Sequence, residues 1–242
     1  MKKLLLFLLP CLMLTCFAGC KPGDGNPPTY EIKFMVDGEL YQTVTTDDDG
    51  KITMPSDPTV DSNFTFNGWY TDDGVWANPV TSETKFTANT NVYAKVTRNI
   101  YEVKFYVNGN LFKTVNSNAE GTITLPANPS INSNYTFDGW FTDNNVWSNP
   151  MTNETQINGN TDVYAKITRK IYEVKFYANG SLYQTLSTDG DGKIIMPADP
   201  TVEQNFTFYG WFTDDEVWAN PFTANTPING NVDVYAKITR NT

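Results

Sequence analysis

The stretch Phe64-Thr-Phe-Asn-Gly-Trp-Tyr70 decides the fold of this chain, because it occurs three times at one interval. The other copies begin at Tyr135 (YTFDGWF) and Phe206 (FTFYGWF), and each lies 71 residues after the one before. A fixed period of this kind is typical of tandem modules, each of which is one supersecondary unit. The glycine and tryptophan of the stretch are therefore predicted to be the structural motif of each module: Gly68, Trp69, Gly139, Trp140, Gly210 and Trp211.

A β-hairpin is predicted to precede this stretch in every module. In Tyr30–Val36 apolar residues alternate with other residues, so that Ile32 and Phe34 share one face, which is the pattern of a half-buried strand. Asp37-Gly38, which is Asn-Gly in the later modules, accepts the positive φ angles that a type I′ turn needs at both central positions. The return strand is expected over residues 40–44.

The rest of each module is also predicted to be mostly β, with four or five short strands in total. A short strand is expected at Ile52–Met54, and Val92–Val96 is expected to close the sheet. Residues 55–62 are the one place for a short helix or helical turn, since no window has sustained helical periodicity with start and stop signals. Gly68 is expected where the backbone passes another group closely. The core is predicted to be aromatic, with contributions from Phe34, Phe64, Phe66, Trp69 and Tyr93.

The modules are predicted to occupy residues 30–100, 101–171 and 172–242. No linker rich in Gly, Ser or Pro separates them, so we expect an elongated array of contiguous units. The predicted fold class is mostly β (small α+β), in three tandem modules that follow an N-terminal signal peptide.

The first 29 residues differ in composition from the modules. Lys2-Lys3 and the apolar run that follows predict a signal peptide over residues 1–19, since the run is too short to span a bilayer comfortably. The run ends in Phe17-Ala-Gly-Cys20, which resembles the bacterial lipobox, so Cys20 is expected to carry acyl chains such as palmitate. Residues 20–29 are predicted to include the lipidated cysteine and a flexible tether. The alternative is an ordinary cleaved signal peptide that leaves Cys20 as a free thiol.

Composition narrows the classes of function. The chain has 17 basic and 27 acidic residues, a net charge of −10, which disfavours binding to nucleic acid and to anionic membrane surfaces. Membrane attachment is therefore expected through the lipid on Cys20. There is no histidine, and all three cysteines lie at or before Cys20, so the modules lack a histidine base and a thiolate nucleophile. We expect no enzyme activity and no cofactor.

The acidic turns are the remaining candidates for metal binding. Asp47-Asp-Asp-Gly50 and Asp189-Gly-Asp-Gly192 place oxygens beside a glycine, but neither has the spacing of an EF-hand loop. The second module has Asn118-Ala-Glu-Gly121 at the same place. These segments are therefore predicted to be solvated turns, and no metal site is expected.

Together these motifs resemble the Listeria–Bacteroides repeat, also called the internalin B-repeat. They are Phe34 with Gly38, the run Phe66-x-Gly-Trp-Tyr70 and the closing Val92-Tyr-Ala-Lys95, and the same set recurs in the other two modules. The resemblance covers nearly the whole chain after the tether. It implies a small β-grasp-like module of bacterial surface proteins, which serves as a stalk or as a protein-interaction unit and has no catalytic residues.

The candidate ligand-binding residues are the loop tryptophans Trp76, Trp147 and Trp218. They lie in polar loops, where they either anchor the loop or present an aromatic surface to a sugar ring or a protein. A second and weaker candidate patch is expected on the outer strand face, at Met35, Tyr106 and Tyr177.

These observations predict a non-catalytic, cell-surface lipoprotein whose modules present a protein-interaction or adhesion surface. Its partners are expected to be the membrane, through Cys20, and an unidentified surface protein or glycan, but no nucleic acid. The alternatives are a carbohydrate-binding accessory protein that uses the loop tryptophans, and a pure spacer. In each case the chain is expected in the bacterial cell envelope, anchored by lipid in the membrane and exposed at the surface.

Overall fold

The computed structural model describes residues 27–242, which contain fourteen β-strands and no helix. The predicted signal peptide, Cys20 and most of the tether lie outside the described residues. In the described part of the chain there is consequently no helix that is long and apolar enough to cross a membrane.

The strands are distributed over the three modules as follows. The first module contains β1 (Glu31–Val36), β2 (Glu39–Thr45), β3 (Phe64–Tyr70), β4 (Pro79–Val80) and β5 (Thr90–Arg98). The second contains β6 (Glu102–Val107), β7 (Asn110–Asn116), β8 (Tyr135–Phe141) and β9 (Thr161–Arg169). The third contains β10 (Glu173–Ala178), β11 (Ser181–Ser187), β12 (Phe206–Phe212), β13 (Pro221–Phe222) and β14 (Val232–Arg240).

Each module forms one sheet with the same strand order. The orders are β2-β1-β5-β3-β4, β7-β6-β9-β8 and β11-β10-β14-β12-β13. The pairs β1–β5 and β10–β14 are parallel and the strands beside them are antiparallel, which is a β-grasp-like arrangement. In the second module an isolated bridge between Phe141 and Pro150 takes the place of the fifth strand. The prediction of a mostly β fold with four or five strands per module is confirmed.

The chain divides into two compact units, and the boundary between them runs through the second module. Among the described residues, the first unit comprises 27–103 together with segments 115–123 and 154–161 of the second module. The second unit comprises the other residues of the second module and the whole third module.

The hairpins form as the sequence predicts. Asp37 and Gly38 have φ angles of 50° and 82°, and the Asn-Gly pairs of the later modules have nearly the same values. Positive φ at both central positions is the geometry of a type I′ turn, whose twist matches that of the two strands it joins. The inner face of β1 carries Ile32, Phe34 and Val36, all of them buried.

A β-bulge in β3 explains why Gly68 precedes Trp69. In a regular strand, residues three apart point to opposite faces of the sheet. The pairing of β3 with β5 shifts between Phe66 and Trp69, and Gly68 has a φ of 107°. The extra residue turns Trp69 to the same face as Phe66, so that their ring centroids lie 5.3 Å apart.

The core of the first module, like that of the third, lies between the inner face of its sheet and two irregular segments. In the first module Trp69 packs edge-on against Phe34 with ring centroids 4.7 Å apart, and Ile52 and Phe86 from the irregular segments cover this cluster. Trp69, Trp140 and Trp211 are only 3–4% exposed. Burial of a large side chain of this kind contributes roughly 1.5–3 kcal/mol.

Three details of the predicted module are wrong. No strand forms at 52–54, because this segment crosses over the core and finds no neighbouring strand; in the second module the amide of Leu125 donates instead to Asn153 Oδ1, at 2.7 Å. No helix forms at 55–62, so the described modules are all β rather than α+β. Tyr93 lies on the outer face of β5, because its neighbours Val92 and Ala94 take the inner face.

The conformation of the bulge glycine leads to a prediction. Gly139 has a φ of 126°, and a Cβ added there meets only the edge of the Phe141 ring, at 3.5 Å. Since space is available, the cost of Gly139→Ala arises from backbone strain, and we expect a loss of about 1–3 kcal/mol in the free energy of unfolding. Gly159→Ala is the matched control, since its added Cβ meets nothing within 4 Å. Equal stability of the two variants in urea unfolding would contradict this account.

Candidate functional site

The outer face of each sheet forms a groove, and the grooves lie at equivalent places in the three modules. In the first module Met35 of β1 and Tyr93 of β5 are neighbours in register and form its floor. The groove has a volume of about 490 Å³, and Trp76 of the loop after β3 lines it together with Asp73. Phe64 of β3 and the Asp37-Gly38 turn complete the lining, so the groove is built from three strands, a turn and a loop.

The grooves of the later modules carry a stacked pair of tyrosines. Tyr106 and Tyr164 have ring centroids 5.6 Å apart and planes inclined by 23°, and Tyr177 and Tyr235 have values of 5.5 Å and 21°. In the third module the pair arises because Tyr177 and Tyr235 are partners in the register of two parallel strands. The volumes are about 330 and 350 Å³, and the polar lining consists of Asn108, Asn144, Asn145 in the second module and Asn179, Asp215, Asp233 in the third.

The loop tryptophans are held in a strained backbone conformation. Trp76, Trp147 and Trp218 have φ angles of 60°, 59° and 56°, values that are uncommon for any residue with a bulky side chain. Their side chains are half-buried. Strain of this kind persists only where the surrounding structure enforces it, and it is concentrated at functional sites.

Each loop tryptophan packs edge-on against an aromatic residue at the end of the preceding strand. The ring of Trp76 lies 5.6 Å from that of Tyr70, and Trp147 and Trp218 contact Phe141 and Phe212 at the same distance. A lysine of the closing strand covers the same aromatic ring, as Lys95 does at 5.5 Å from the centre of Tyr70. The tryptophan is thus both an anchor of its loop and, in the first two modules, part of the groove wall.

An aspartate closes each of these loops. Both carboxylate oxygens of Asp72 accept backbone N–H groups, from Ala77 at 2.7 Å and from Asn78 at 2.9 Å. Asp143 accepts from the amides of Ser148 and Asn149 in the same way, at 2.8 and 3.0 Å. The carboxylate therefore links the chain segment before the tryptophan to the segment after it; we call this arrangement the aspartate clamp.

The hydrogen bonds shift the acidity of these groups. The Ser148 hydroxyl, with the amides of Ser148 and Asn149, lowers the pKa of Asp143, and the amide of Ala77 is the main cause of the lowered pKa of Asp72. Burial alone would raise the pKa of Asp214, but its hydrogen bonds with Ala219 and Asn220 outweigh that effect and the pKa is lowered. In every module the ionised carboxylate is the form that holds the loop.

A pH dependence follows with a definite sign. Because the pKa of Asp143 in the folded chain is below its ordinary value of 3.8, its stabilisation of the loop is complete above about pH 3.8 and is lost as the pH falls through the lower, folded-state pKa. We expect the amides of Ser148 and Asn149 to lose protection below that pH, so that they exchange at a rate closer to that of an unstructured peptide at the same pH. At neutral pH Asp143→Ala should have the same effect, whereas Asn144→Ala, in the same loop, should not. Hydrogen exchange measured by NMR and corrected for the intrinsic rate at each pH checks this, and a protection factor that does not change with pH in the wild-type loop would contradict it.

In the groove of the third module, two aspartates affect the pKa of a tyrosine. Burial is the main cause of the raised pKa of Tyr235, and the carboxylates of Asp233 and Asp215 contribute to it. Tyr235 therefore keeps its phenolic proton at neutral pH and can donate a hydrogen bond, while the two carboxylates can accept one. The groove combines aromatic faces with donors and acceptors, as a binding site requires, but it contains no nucleophile–base pair.

The remaining predicted residues lie elsewhere. Trp69, Trp140 and Trp211 belong to the cores, on the opposite face of the sheet from the grooves. In the acidic turn of the first module, Asp47 Oδ1 accepts the amides of Asp49 and Lys51 at 3.0 and 2.8 Å, so its carboxylate stabilises the turn itself. Across residues 27–242 no group of three or more acidic or cysteine side chains is placed to hold a metal ion.

The sequence reasoning missed two parts of the site. One is the tyrosine of the closing strand, at Tyr93, Tyr164 and Tyr235. Strict alternation in Val92-Tyr-Ala-Lys95 places the valine and alanine inside and the tyrosine outside, so the signal was present in the period of the strand. The other is the aspartate clamp, whose partners five and six residues later follow no periodicity of helix or strand.

Comparison with known proteins agrees with this repeated architecture. Two proteins of Evansella cellulosilytica are similar to this chain. One, named as a Gly-rich membrane protein, is 28% identical over 190 residues, which cover 77% of this chain and 21% of that protein. The other, named as a membrane protein, is 28% identical over 153 residues, which cover 60% of this chain and 22% of that protein. The chain thus spans about a fifth of the length of these relatives.

The family comparison matches each module separately. The model of the Listeria-Bacteroides repeat domain matches residues 30–95, 101–166 and 172–237. These ranges begin at the tyrosine that precedes the first strand of each module and include the groove, the bulge and the loop tryptophan. With three matches that together cover most of its length, this chain belongs to the Listeria-Bacteroides repeat domain family.

Proposed function

We propose that this protein is a non-catalytic, multivalent binding protein of the bacterial cell envelope, whose outer-face grooves form a protein-interaction or adhesion surface. The observation that carries the proposal is the recurrence of one groove, with a strained and clamped aromatic loop beside it, in all three modules. A pure spacer has no need for three strained tryptophans, since unstrained loops would serve equally well.

Location in the envelope rests on two further observations. The two relatives in Evansella cellulosilytica are named as membrane proteins. The sequence of this chain offers Cys20 as a lipidation site after an apolar signal. Together they support attachment to the membrane by lipid, with the modules exposed at the cell surface.

Repetition of the groove determines how strongly such a protein binds. A single groove of 330–490 Å³ that is open to solvent offers a weak site. Three such sites on one chain can engage a partner that presents the same feature repeatedly, and linked weak sites gain about 10²–10⁴ in apparent affinity without any new contact. The expected partner is therefore a repetitive polymer or a clustered surface protein.

The experiment compares binding of the full chain with that of two triple variants. The probes are isolated bacterial envelope and a glycan array. We expect the combined change of Trp76, Trp147 and Trp218 to alanine to weaken binding by about 100-fold or more. The matched control changes the preceding valines to alanine, since these do not line the grooves and are 70–75% exposed: Val75, Val146 and Val217. That variant is expected to bind as the wild type does.

Two results would contradict the proposal. Equal binding by the wild type and the tryptophan variant would exclude the grooves as the binding sites. Loss of binding in the valine variant alone would show that the loop tips, and not the grooves, bind the partner. Absence of binding to either probe, with unchanged cell adhesion after deletion of the protein, would favour the spacer.

Carbohydrate is the second candidate ligand, and one observation favours it. The nearly parallel tyrosines of the second and third modules form flat aromatic platforms beside amide and carboxylate groups. An aromatic face with adjacent hydrogen-bonding groups suits the apolar face and hydroxyls of a sugar ring. Saturable binding to the glycan array that depends on Tyr164 and Tyr235 would identify this ligand class.

The anchor can be tested independently of the grooves. Cys20→Ser removes the thiol that lipidation requires, and we expect most of the protein to move from the membrane fraction to the soluble fraction. The comparison is made by fractionation of cells that express either chain, with Lys21→Ala as the control for a change beside the cysteine. Retention of the serine variant in the membrane would exclude lipid attachment.

A further inference from the structure

Consecutive modules are joined by an arginine that enters a glycine socket. Arg98, the last residue of β5, lies over the ring of Phe64, with the guanidinium carbon 5.4 Å from the ring centre. Its Nη2 donates to the carbonyl oxygen of Ile157 at 3.2 Å and to Asn158 Oδ1 at 2.7 Å. A Cβ at Gly121 would lie 2.1 Å from Arg98 Nε, so only glycine leaves room for this side chain.

The second junction repeats this geometry. Arg169 lies 5.6 Å from the ring centre of Tyr135 and donates to the carbonyl oxygen of Ile228 at 3.0 Å. A Cβ at Gly192 would again lie 2.1 Å from the arginine Nε. Two independent junctions thus have the same two parts. One is a donor face, which is an arginine that lies on an aromatic ring, and the other is a socket, which is a glycine beside a backbone carbonyl.

The first module has the same socket. Gly50 corresponds to Gly121 and Gly192, and its φ of 78° matches theirs of 77° and 75°. The amide of Phe86 donates to Gly50 O at 2.8 Å, as the amide of Ile157 does to Gly121 O at the same distance. Gly121 and Gly192 are buried under their arginines, whereas Gly50 is half-exposed.

The third module places an arginine and an aromatic residue at the same two strand positions. Arg240 is paired with Phe206 across β14 and β12, as Arg98 is with Phe64 across β5 and β3. The Asn241 amide donates to Asn205 O at 2.7 Å, which reproduces the bond that Asn99 makes with Asn63 O. Arg98 and Arg169 are half-buried, whereas Arg240 is exposed.

We propose that the chain associates head to tail with a second copy of itself, by insertion of Arg240 of one copy into the Gly50 socket of the other. The occupant is a second copy because the contact continues, between chains, the interface that each chain already contains twice. An interface of this type is heterologous, because it joins two different surfaces, the socket of one copy and the arginine of the other.

The charge of the socket favours the same occupant. Asp47, Asp48 and Asp49 precede Gly50, whereas Asn118, Ala119 and Glu120 precede Gly121. Lys51, which follows Gly50, is paired with Glu83 at 2.5 Å. These carboxylates lie within three residues of Gly50 in the sequence and attract a guanidinium, and salt is expected to weaken this attraction.

One position gives the first socket one hydrogen-bond acceptor fewer than the second socket has. Thr87 occupies the place of Asn158, which accepts a hydrogen bond from Arg98. Thr87→Asn should therefore turn the first socket into a copy of the second. Since a hydrogen bond to a charged group contributes enough for a tenfold change in affinity, we expect this exposed-loop substitution to tighten self-association about tenfold.

The test is sedimentation of the full chain in a non-ionic detergent whose density is matched by the solvent. The wild type should show reversible self-association at high concentration, and Arg240→Ala should weaken it by about tenfold or more. Arg240→Lys keeps the charge but lacks the planar fork, so it should also weaken association. Lys113→Ala, which removes one positive charge from an exposed position of β7, is the matched control and should leave association unchanged.

The double variant distinguishes this contact from any other association. Arg240→Ala should abolish the gain produced by Thr87→Asn, because both residues belong to one contact. A wild type that remains monomeric at every concentration would overturn the proposal. Association that is the same in the wild type, Arg240→Ala and Thr87→Asn would also overturn it.

Discussion

Replacing Trp140 with alanine is expected to lower the free energy of unfolding of its unit by about 3–5 kcal/mol. Trp140 is 3% exposed and packs against Phe105, Phe112 and Phe137, with ring centroids 4.9, 5.7 and 5.2 Å away. Removal of the indole leaves a cavity that these rings cannot close, because the bulge fixes the backbone beside it. Urea unfolding followed by circular dichroism measures the effect.

The matched control is Trp147→Ala in the same module. Trp147 is half-buried and has one aromatic contact, with Phe141, so its loss should cost only about 0.5–1.5 kcal/mol. A similar loss of stability in the two variants would mean that the loop tryptophan is structural. It would then remove the reason to assign binding to the loop tryptophans.

Arg169→Ala is expected to destabilise the second unit by about 1.5–3 kcal/mol, which is the range for a hydrogen bond that involves a charged group. The variant loses the bond to Ile228 O and the contact with the Tyr135 ring, and it exposes Gly192, which the guanidinium covers. Arg169 Nε is buried with no hydrogen-bond partner within residues 27–242, which costs free energy in the wild type. Because the alanine variant no longer buries this group, the net loss of stability is smaller than the lost contacts alone would give.

Arg240→Ala is the matched control for this change, because it removes the same side chain from the equivalent strand position. Arg240 is exposed, so the effect on stability should stay within about 0.5 kcal/mol at low protein concentration. Equal destabilisation by the two substitutions would show that Arg169 acts within its own module and does not join it to the next.

The hairpins and the inner face of β1 could be predicted because their signals are local. The φ preferences of Asp37-Gly38 act within two residues, and the alternation of Ile32, Phe34 and Val36 follows from the pleat of a single strand. The closing strand contained the same kind of signal. Tyr93 was nevertheless assigned to the core, because its size was given more weight than its position in the alternation.

The glycines were predicted to matter, but the physical reason differs between the predicted and the observed roles. Gly68 was expected to allow a close approach, but the space around it is open and its role is the positive φ of the bulge. The close approach occurs at Gly121 and Gly192, which looked like ordinary turn glycines. Such an approach depends on an arginine more than twenty residues away in the chain, which no local pattern can reveal.

By itself, the sequence determined that three modules of one length follow one another, that they are built of strands, and that their folded part lacks histidine and cysteine chemistry. Only the tertiary structure decided that Met35, Tyr93 and Trp76 meet in one groove and that the junction arginines enter glycine sockets. The physical reason is that period and turn chemistry are local properties of the backbone. The groove and the sockets, by contrast, require the pairing of strands far apart in the chain, such as β1 with β5.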